Sequence, residues 1–149
     1  MPYLQTEASA SQARFSPDSR WIAYMSDESG KAEVYIRPFP AASGGKWMVS
    51  KGGGGQPRWR RDGKELFYIS ADSKLMAVEV ATASGTFQAG IPKALFAAPI
   101  WGGSTVNVTR YDVTADGKKF LINSLPKVTA SAHESPITVV LNWQAVLKK

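Results

Sequence analysis

The sequence predicts an all-β fold of short antiparallel strands, and three observations lead to this prediction. Thirteen glycines and nine prolines interrupt the chain, which favours many short strands over long helices. Hydrophobic residues make up 44% of the 149 positions, and with five Trp, five Tyr and six Phe they suffice for a packed core. The third observation is an internal repeat, and its period determines which all-β architecture is expected.

Two stretches of the sequence match at a distance of 44 positions. Residues 12–19 read QARFSPDS and residues 56–63 read QPRWRRDG, and the match continues through the apolar runs that follow. A third copy, RYDVTADG at 110–117, begins 54 positions after the second. About ten residues are therefore inserted before the third copy, and we expect them in the Gly-rich stretch 100–105.

Each copy is predicted to hold four short strands. The first strand ends at an Asp-Gly or Asp-Ser pair, which is typical of a tight hairpin turn. Second strands are expected at 21–26, 66–70 and 120–124, third strands at 33–37 and 75–80, and fourth strands at 46–50 and 93–96. Repeats of about 40–45 residues with four strands each are typical of β-propeller blades. The predicted fold class is therefore an all-β β-propeller, with three blades' worth of strands in this chain.

The repeat also predicts where the blades lie. Residues 12–50 and 56–96 form two blades, 110–143 form a three-stranded blade, and 2–6 form the fourth strand of a preceding blade. Three blades are fewer than the roughly four to eight that close a ring, so both outer faces of an open arc would lie in water. We therefore expect a homodimer that forms a six-bladed ring, in which 2–6 of each copy complete the 110–143 blade of the other. A truncated piece of a longer propeller is the alternative.

Residues 15–24, FSPDSRWIAY, resemble the signature of WD40-like propeller repeats of the TolB type. Residues 12–40, together with ITVVLNW at 137–143, are similar to the C-terminal propeller region of some bacterial serine/threonine receptor kinases. This resemblance implies a propeller fold and, for a receptor-type protein, a periplasmic or extracytoplasmic location. Kinase activity is not implied, because the chain has no HRD, no DFG and no kinase phosphate loop. We expect no membrane span, since no apolar run approaches about 18–20 residues, and no signal peptide, since the N-terminus MPYLQT lacks the basic and apolar regions of one.

The candidate binding residues are polar side chains at equivalent positions of the first strands, which line the central channel of a propeller. They are Gln12, Arg14, Gln56, Arg58, Arg110 and Asp112. A ring of arginines and amides could hold an anionic or peptide ligand through charge-assisted hydrogen bonds. The alternative is that these side chains only solvate a water-filled channel and anchor loops.

Several kinds of chemistry are disfavoured by composition. The chain has no cysteine and a single histidine, His133, which excludes disulfides, cysteine zinc sites and sites that need two imidazoles. We predict that the aspartates repeated in all three copies are turn residues rather than metal ligands (Asp18, Asp62 and Asp116). His133 and Glu134 belong to a polar insertion, 125–136, that we expect to be a surface loop. No cofactor, metal or catalytic residue is therefore expected.

Two further motifs are explained by the repeat. The cluster RWRR at 58–61 could contact nucleic acid, but Trp59 takes the place of Phe15 and Val113 and is predicted to be a core residue. The run KGGGG at 51–55 lacks the Gly-Lys-Ser/Thr of a phosphate loop, so it is predicted to connect two blades. The net charge of +6 is spread along the chain, and no nucleic-acid or membrane partner is expected.

The predicted function is that of a non-catalytic binding or assembly module. Its ligand would be a protein, a peptide or an anionic molecule, bound at the channel mouth or at the top loops. The alternative is the propeller portion of a hydrolase whose catalytic residues lie mostly outside this chain. Fold alone does not separate the two, because propellers carry unrelated activities.

Overall fold

The computed structural model describes residues 7–40, 45–82, 86–100, 102–105, 108–124 and 137–140. Over these ranges the chain is all-β and forms three antiparallel sheets. None of the described residues forms a helix that is long and apolar enough to cross a membrane. The predicted strand 2–6 and the insertion that contains His133 and Glu134 lie outside the described residues.

The three sheets follow one another along the chain. The first contains β1 (Ala10–Phe15), β2 (Trp21–Ser26), β3 (Glu33–Pro38) and β4 (Trp47–Met48) in that spatial order. The second contains β5 (Gly54–Trp59), β6 (Glu65–Ser70), β7 (Lys74–Ala81), β8 (Gln88–Ala89) and β9 (Lys93–Ala97). The third contains β10 (Tyr111–Val113), β11 (Phe120–Asn123) and β12 (Ile137–Val140). Strand 21–26 matches its predicted bounds, and the other strands differ from theirs by a few residues.

The first hairpin turn is built in the same way in all three sheets. The residue after the repeated aspartate has a positive φ of 57°, 72° and 72° (Ser19, Gly63 and Gly117). The aspartate itself accepts a hydrogen bond from the backbone N–H two positions later, at 3.0–3.1 Å (Asp18, Asp62 and Asp116). The prediction that these carboxylates stabilise turns is confirmed.

The fourth-strand position of the second sheet is shared by two strands. β9, which corresponds to the predicted strand 93–96, pairs with β7 over Lys74–Ala77. β8 pairs with β7 farther along, opposite Val80 and Ala81. The sequence did not predict β8, because two exposed residues carry no alternation that would distinguish a strand from a loop.

Apolar side chains on facing strands join the sheets. Between the first and second sheets lie Trp21, Ala23, Val34, Ile36, Leu66, Tyr68 and Val78. Between the second and third sheets lie Phe67, Ile69, Leu75, Tyr111, Phe120 and Ile122. The rings of Phe67 and Phe120 meet edge to face across this second interface, with centroids 5.0 Å apart. The sheets therefore stack in chain order, and each interface is an apolar core.

The two outer faces of the stack differ from each other. On the first sheet, Ile22, Tyr24 and Tyr35 are at most 6% exposed, and the two tyrosine rings stack with centroids 5.8 Å apart. On the third sheet, Leu121 and Val139 lie opposite each other and are 49% and 54% exposed. The expectation that both outer faces lie in water is therefore wrong for the central residues of the first sheet.

Phe15, Trp59 and Val113 share one position of the repeat, which is predicted to be a core position, but they are not all buried. Trp59 and Val113 pack against the cores on either side of the second sheet. Phe15 is 55% exposed, so the prediction is wrong for this residue. Phe15 is the last residue of β1, and its ring meets that of the partly exposed Phe39 edge to face, with centroids 4.9 Å apart.

The glycine run connects the first two sheets, as predicted. Residues 51–53 follow β4, and a strand rather than a helix begins at Gly54. The connector is held by the buried Glu33, whose Oε1 accepts a hydrogen bond from Gly53 N at 2.9 Å. A Cβ on Gly54 would lie 2.9 Å from the Tyr68 ring, so glycine allows the two elements to approach closely.

Candidate functional site

Two of the predicted binding residues, Gln12 and Gln56, hold neighbouring sheets together. Both lie at irregularities in the pairing of β1 and β5, with positive φ values of 59° and 55°. Gln12 Oε1 accepts a hydrogen bond from Gln56 N at 2.5 Å, and Gln56 Oε1 accepts one from Arg110 N at 2.8 Å. Each side-chain amide thus bonds the equivalent backbone position of the next sheet, 44 or 54 residues later.

The amide nitrogens of the same two glutamines bind residues 102–105, which we call the strap. Gln12 Nε2 donates to the Ser104 carbonyl at 3.3 Å, and Gln56 Nε2 donates to the Gly103 carbonyl at 3.0 Å. A Cβ on Gly55 would lie 2.2 Å from the Ser104 carbonyl oxygen, so the strap lies directly against β5. The strap lies in the stretch where the repeat predicted an insertion. The described bonds of Gln12 and Gln56 are structural, and a ligand role for them stays a prediction.

The other four predicted residues come together at the first strands of the second and third sheets. A groove of about 300 Å³ is lined by Arg58, Thr109, Arg110, Tyr111, Asp112, Leu121 and Asn123. Arg14 lies beside it, because its Nη2 donates to Thr109 Oγ1 at 3.1 Å. This groove is the candidate functional site.

Arg58 contributes a largely buried positive charge to this groove. Its side chain is 20% exposed, and its buried Nε has no hydrogen-bond partner among the residues that the structure describes. The nearest carboxylate oxygen, Asp112 Oδ1, is 3.8 Å from Nε, which is longer than a hydrogen bond. Burial lowers the pKa of Arg58, and the neighbouring Arg14 guanidinium lowers it further. An anion in the groove would favour the charged form of this arginine.

The floor of the groove is fixed by Tyr111. Its hydroxyl donates to the Gln56 carbonyl at 2.9 Å, and burial raises the pKa of this hydroxyl. Tyr111 is 3% exposed and packs in the core between the second and third sheets. The groove is therefore built on a rigid inner strand, which favours a site that is formed before a ligand arrives.

A larger cavity of about 1000 Å³ lies near the hairpin turns of the first two sheets and includes Trp21, Trp59 and Arg60. Arg60 bonds both carboxylate oxygens of Asp62, at 2.8 and 2.9 Å, and Glu65 Oε2 at 2.7 Å. These partners satisfy the guanidinium, in contrast to that of Arg58. No cluster of three metal-ligating side chains occurs in the described part of the chain. The smaller groove is therefore the better candidate.

Comparisons with known proteins bear on the fold. No family model matches the sequence, and no curated protein matches it. A solved structure from Bacteroides uniformis, described as a "putative 6-phosphogluconolactonase", is 13% identical and superposes with a TM-score of 0.53 over 93% of this chain. TolB from Acinetobacter baumannii is 17% identical, with a TM-score of 0.39 over 94% of this chain.

The first of these likenesses concerns the fold alone. The chain has a propeller-like fold. It spans 42% of the length of the Bacteroides protein and 45% of that of TolB. The link to receptor kinases stays a prediction from the sequence.

Proposed function

We propose that this propeller-like chain is a non-catalytic binding module whose groove takes the anionic group of a small molecule or a peptide. The observation that carries the proposal is the environment of Arg58, whose guanidinium is largely buried and borders the groove. The Nε atom of Arg58 has no hydrogen-bond partner among the described residues. A buried cation without a full set of partners is destabilising, and a carboxylate or phosphate can satisfy a guanidinium with two parallel hydrogen bonds.

The surrounding charges also support an anion. Arg14 and Arg58 lie close enough for their charges to repel, and Asp112 is the carboxylate paired with Arg58. The excess of positive charge at this end of the groove would attract a negatively charged ligand. The side chain of Asp112 is 74% exposed, so solvent screens its contribution.

Charge reversal tests the anion site. We expect acetate and inorganic phosphate to raise the melting temperature of the wild-type chain, and the Arg58→Glu and Arg14→Glu variants to lose that rise. Arg61→Glu is the matched control, because Arg61 is an exposed arginine near the larger cavity and away from the groove. Circular dichroism verifies that each variant is folded. An unchanged response in a folded Arg58→Glu variant overturns the site, and hydrolysis of an ester, lactone, glycoside or peptide panel overturns the non-catalytic assignment.

We also propose that two copies associate into a six-bladed ring, in which the outer face of the third sheet of each copy packs against the first sheet of the other. Val139 supports this, because it is about half exposed, whereas its counterpart in the second sheet, Ala77, is buried against a neighbouring sheet. Light scattering should give twice the chain mass, and Val139→Asp should reduce it to that of one chain. A stable, folded wild-type monomer contradicts the ring.

A further inference from the structure

We propose that the ligand of the groove is an α-amino acid, bound as its zwitterion with the carboxylate on Arg58 and the ammonium on Asp112. This inference rests on the anion site proposed above and names its ligand. The anion site alone requires only a negative group, whereas this proposal also requires a positive group on the adjacent carbon.

The arrangement of opposite charges carries the inference. Arg58 Nε and Asp112 Oδ1 are 3.8 Å apart, so a cation and an anion stand side by side without a hydrogen bond between them. Asp112 Oδ1 accepts a hydrogen bond from Val113 N at 2.9 Å, and the side chain of Asp112 is 74% exposed, so a ligand can reach its carboxylate. A ligand carboxylate on Arg58 would stand close to the Asp112 carboxylate, and like charges at that distance repel. An ammonium on the next atom of the ligand converts this repulsion into attraction.

The shape of the groove restricts the ligand further. A volume of about 300 Å³ lies at the lower end of the roughly 300–1,000 Å³ that is common for small-molecule sites. Leu121, 49% exposed, supplies an apolar wall, while Thr109 and Asn123 supply polar groups. A small aliphatic amino acid matches this combination, and leucine is the probe that tests it.

Isothermal titration with three probes separates the two charges on the wild-type chain. Leucine has both groups, isocaproate lacks only the ammonium, and isoamylamine lacks only the carboxylate. We expect leucine to bind about tenfold more tightly than either of the others, which corresponds to one charge-assisted hydrogen bond. Because this comparison needs no variant, it does not depend on whether a substituted chain folds.

Variants then assign each charge to a residue. Asp112→Asn should reduce the affinity for leucine to the level of the affinity for isocaproate. The affinity for isocaproate should not fall. Glu79→Gln is the matched control, because the Glu79 side chain is 75% exposed, carries the same charge and lies outside the groove. It should leave all three affinities unchanged.

The outcomes distinguish this inference from the function on which it rests. If isocaproate binds as tightly as leucine, the zwitterion is wrong and the anion site stands. If leucine, isocaproate, acetate and phosphate all fail to bind, both proposals are wrong. If Asp112→Asn leaves the preference for leucine over isocaproate intact, Asp112 is not the ammonium partner and the inference fails in that form.

Discussion

The second and third sheets present the same pair of repeat positions in opposite environments. Phe67 and Ala77 lie opposite each other in the second sheet and are 0% and 5% exposed. Leu121 and Val139 occupy the corresponding places in the third sheet and are 49% and 54% exposed. The repeat therefore determines the strand pairing and the direction of each side chain, whereas the neighbouring sheet determines burial.

The candidate site lies where this difference coincides with a change in the repeat. Arg14 and Arg58 are equivalent residues on successive first strands, and Asp112 takes their place in the third sheet. The change from arginine to aspartate places opposite charges 3.8 Å apart at the edge of the groove. Leu121 lines this groove and also belongs to the exposed pair on the third sheet. The site therefore depends on the feature by which the third sheet departs from the other two.

The largest expected effect is on the free energy of unfolding, when the buried Phe67 and the half-exposed Leu121 are each truncated to alanine. Phe67→Ala should lower the free energy of unfolding by about 3–5 kcal/mol, because it removes a fully buried ring from the interface between two sheets. At a chain concentration where light scattering gives the mass of one chain, Leu121→Ala should cost less than about 1 kcal/mol, since half of that side chain is already in solvent. Urea unfolding of both variants at that concentration measures the difference. Equal losses would mean that the Leu121 side chain is covered within a single chain.

A smaller effect is expected where the strap crosses β5. Gly55→Ala should lower the free energy of unfolding by about 1–3 kcal/mol, because the new Cβ would overlap the Ser104 carbonyl and move the strap. Gly90→Ala is the matched control, since a Cβ there meets Glu79 at an ordinary 3.5 Å. The control should change stability by less than about 0.5 kcal/mol. If the two variants are equally stable, the strap does not press against β5 in solution.

The sequence predicted what the repeat contains. The all-β class, the main strands, the aspartate turns and the connector after β4 all follow from local patterns that recur in each copy. The role of Asp62 is one example, because a hairpin turn needs an acceptor for the N–H of Lys64 and the third copy supplies an equivalent aspartate. Such features need only neighbouring residues.

The sequence did not predict what depends on distant contacts. Gln12 and Gln56 are predicted to line a channel because they are polar and equivalent, but their amides bind the strap, which belongs to no repeat. The exposure of Phe15 does not follow from the sequence, because position in a repeat does not reveal which side chains lie against a residue. The grouping of Arg58 with Asp112 was only partly foreseen, since the distance between them depends on how the sheets stack.

The strap also has a consequence for how the chain folds. Gln12 and Ser104 are 92 residues apart in sequence, whereas each hairpin joins residues close in sequence. Because contacts between distant residues require large loops to close, the hairpins can form early and the strap can be fixed only after the sheets have stacked. The amide hydrogens of Gln56 and Arg110, which are bonded to the same two glutamines, should therefore be among the last to gain protection from hydrogen exchange. Their protection would report when the first strands of the three sheets and the strap have come together.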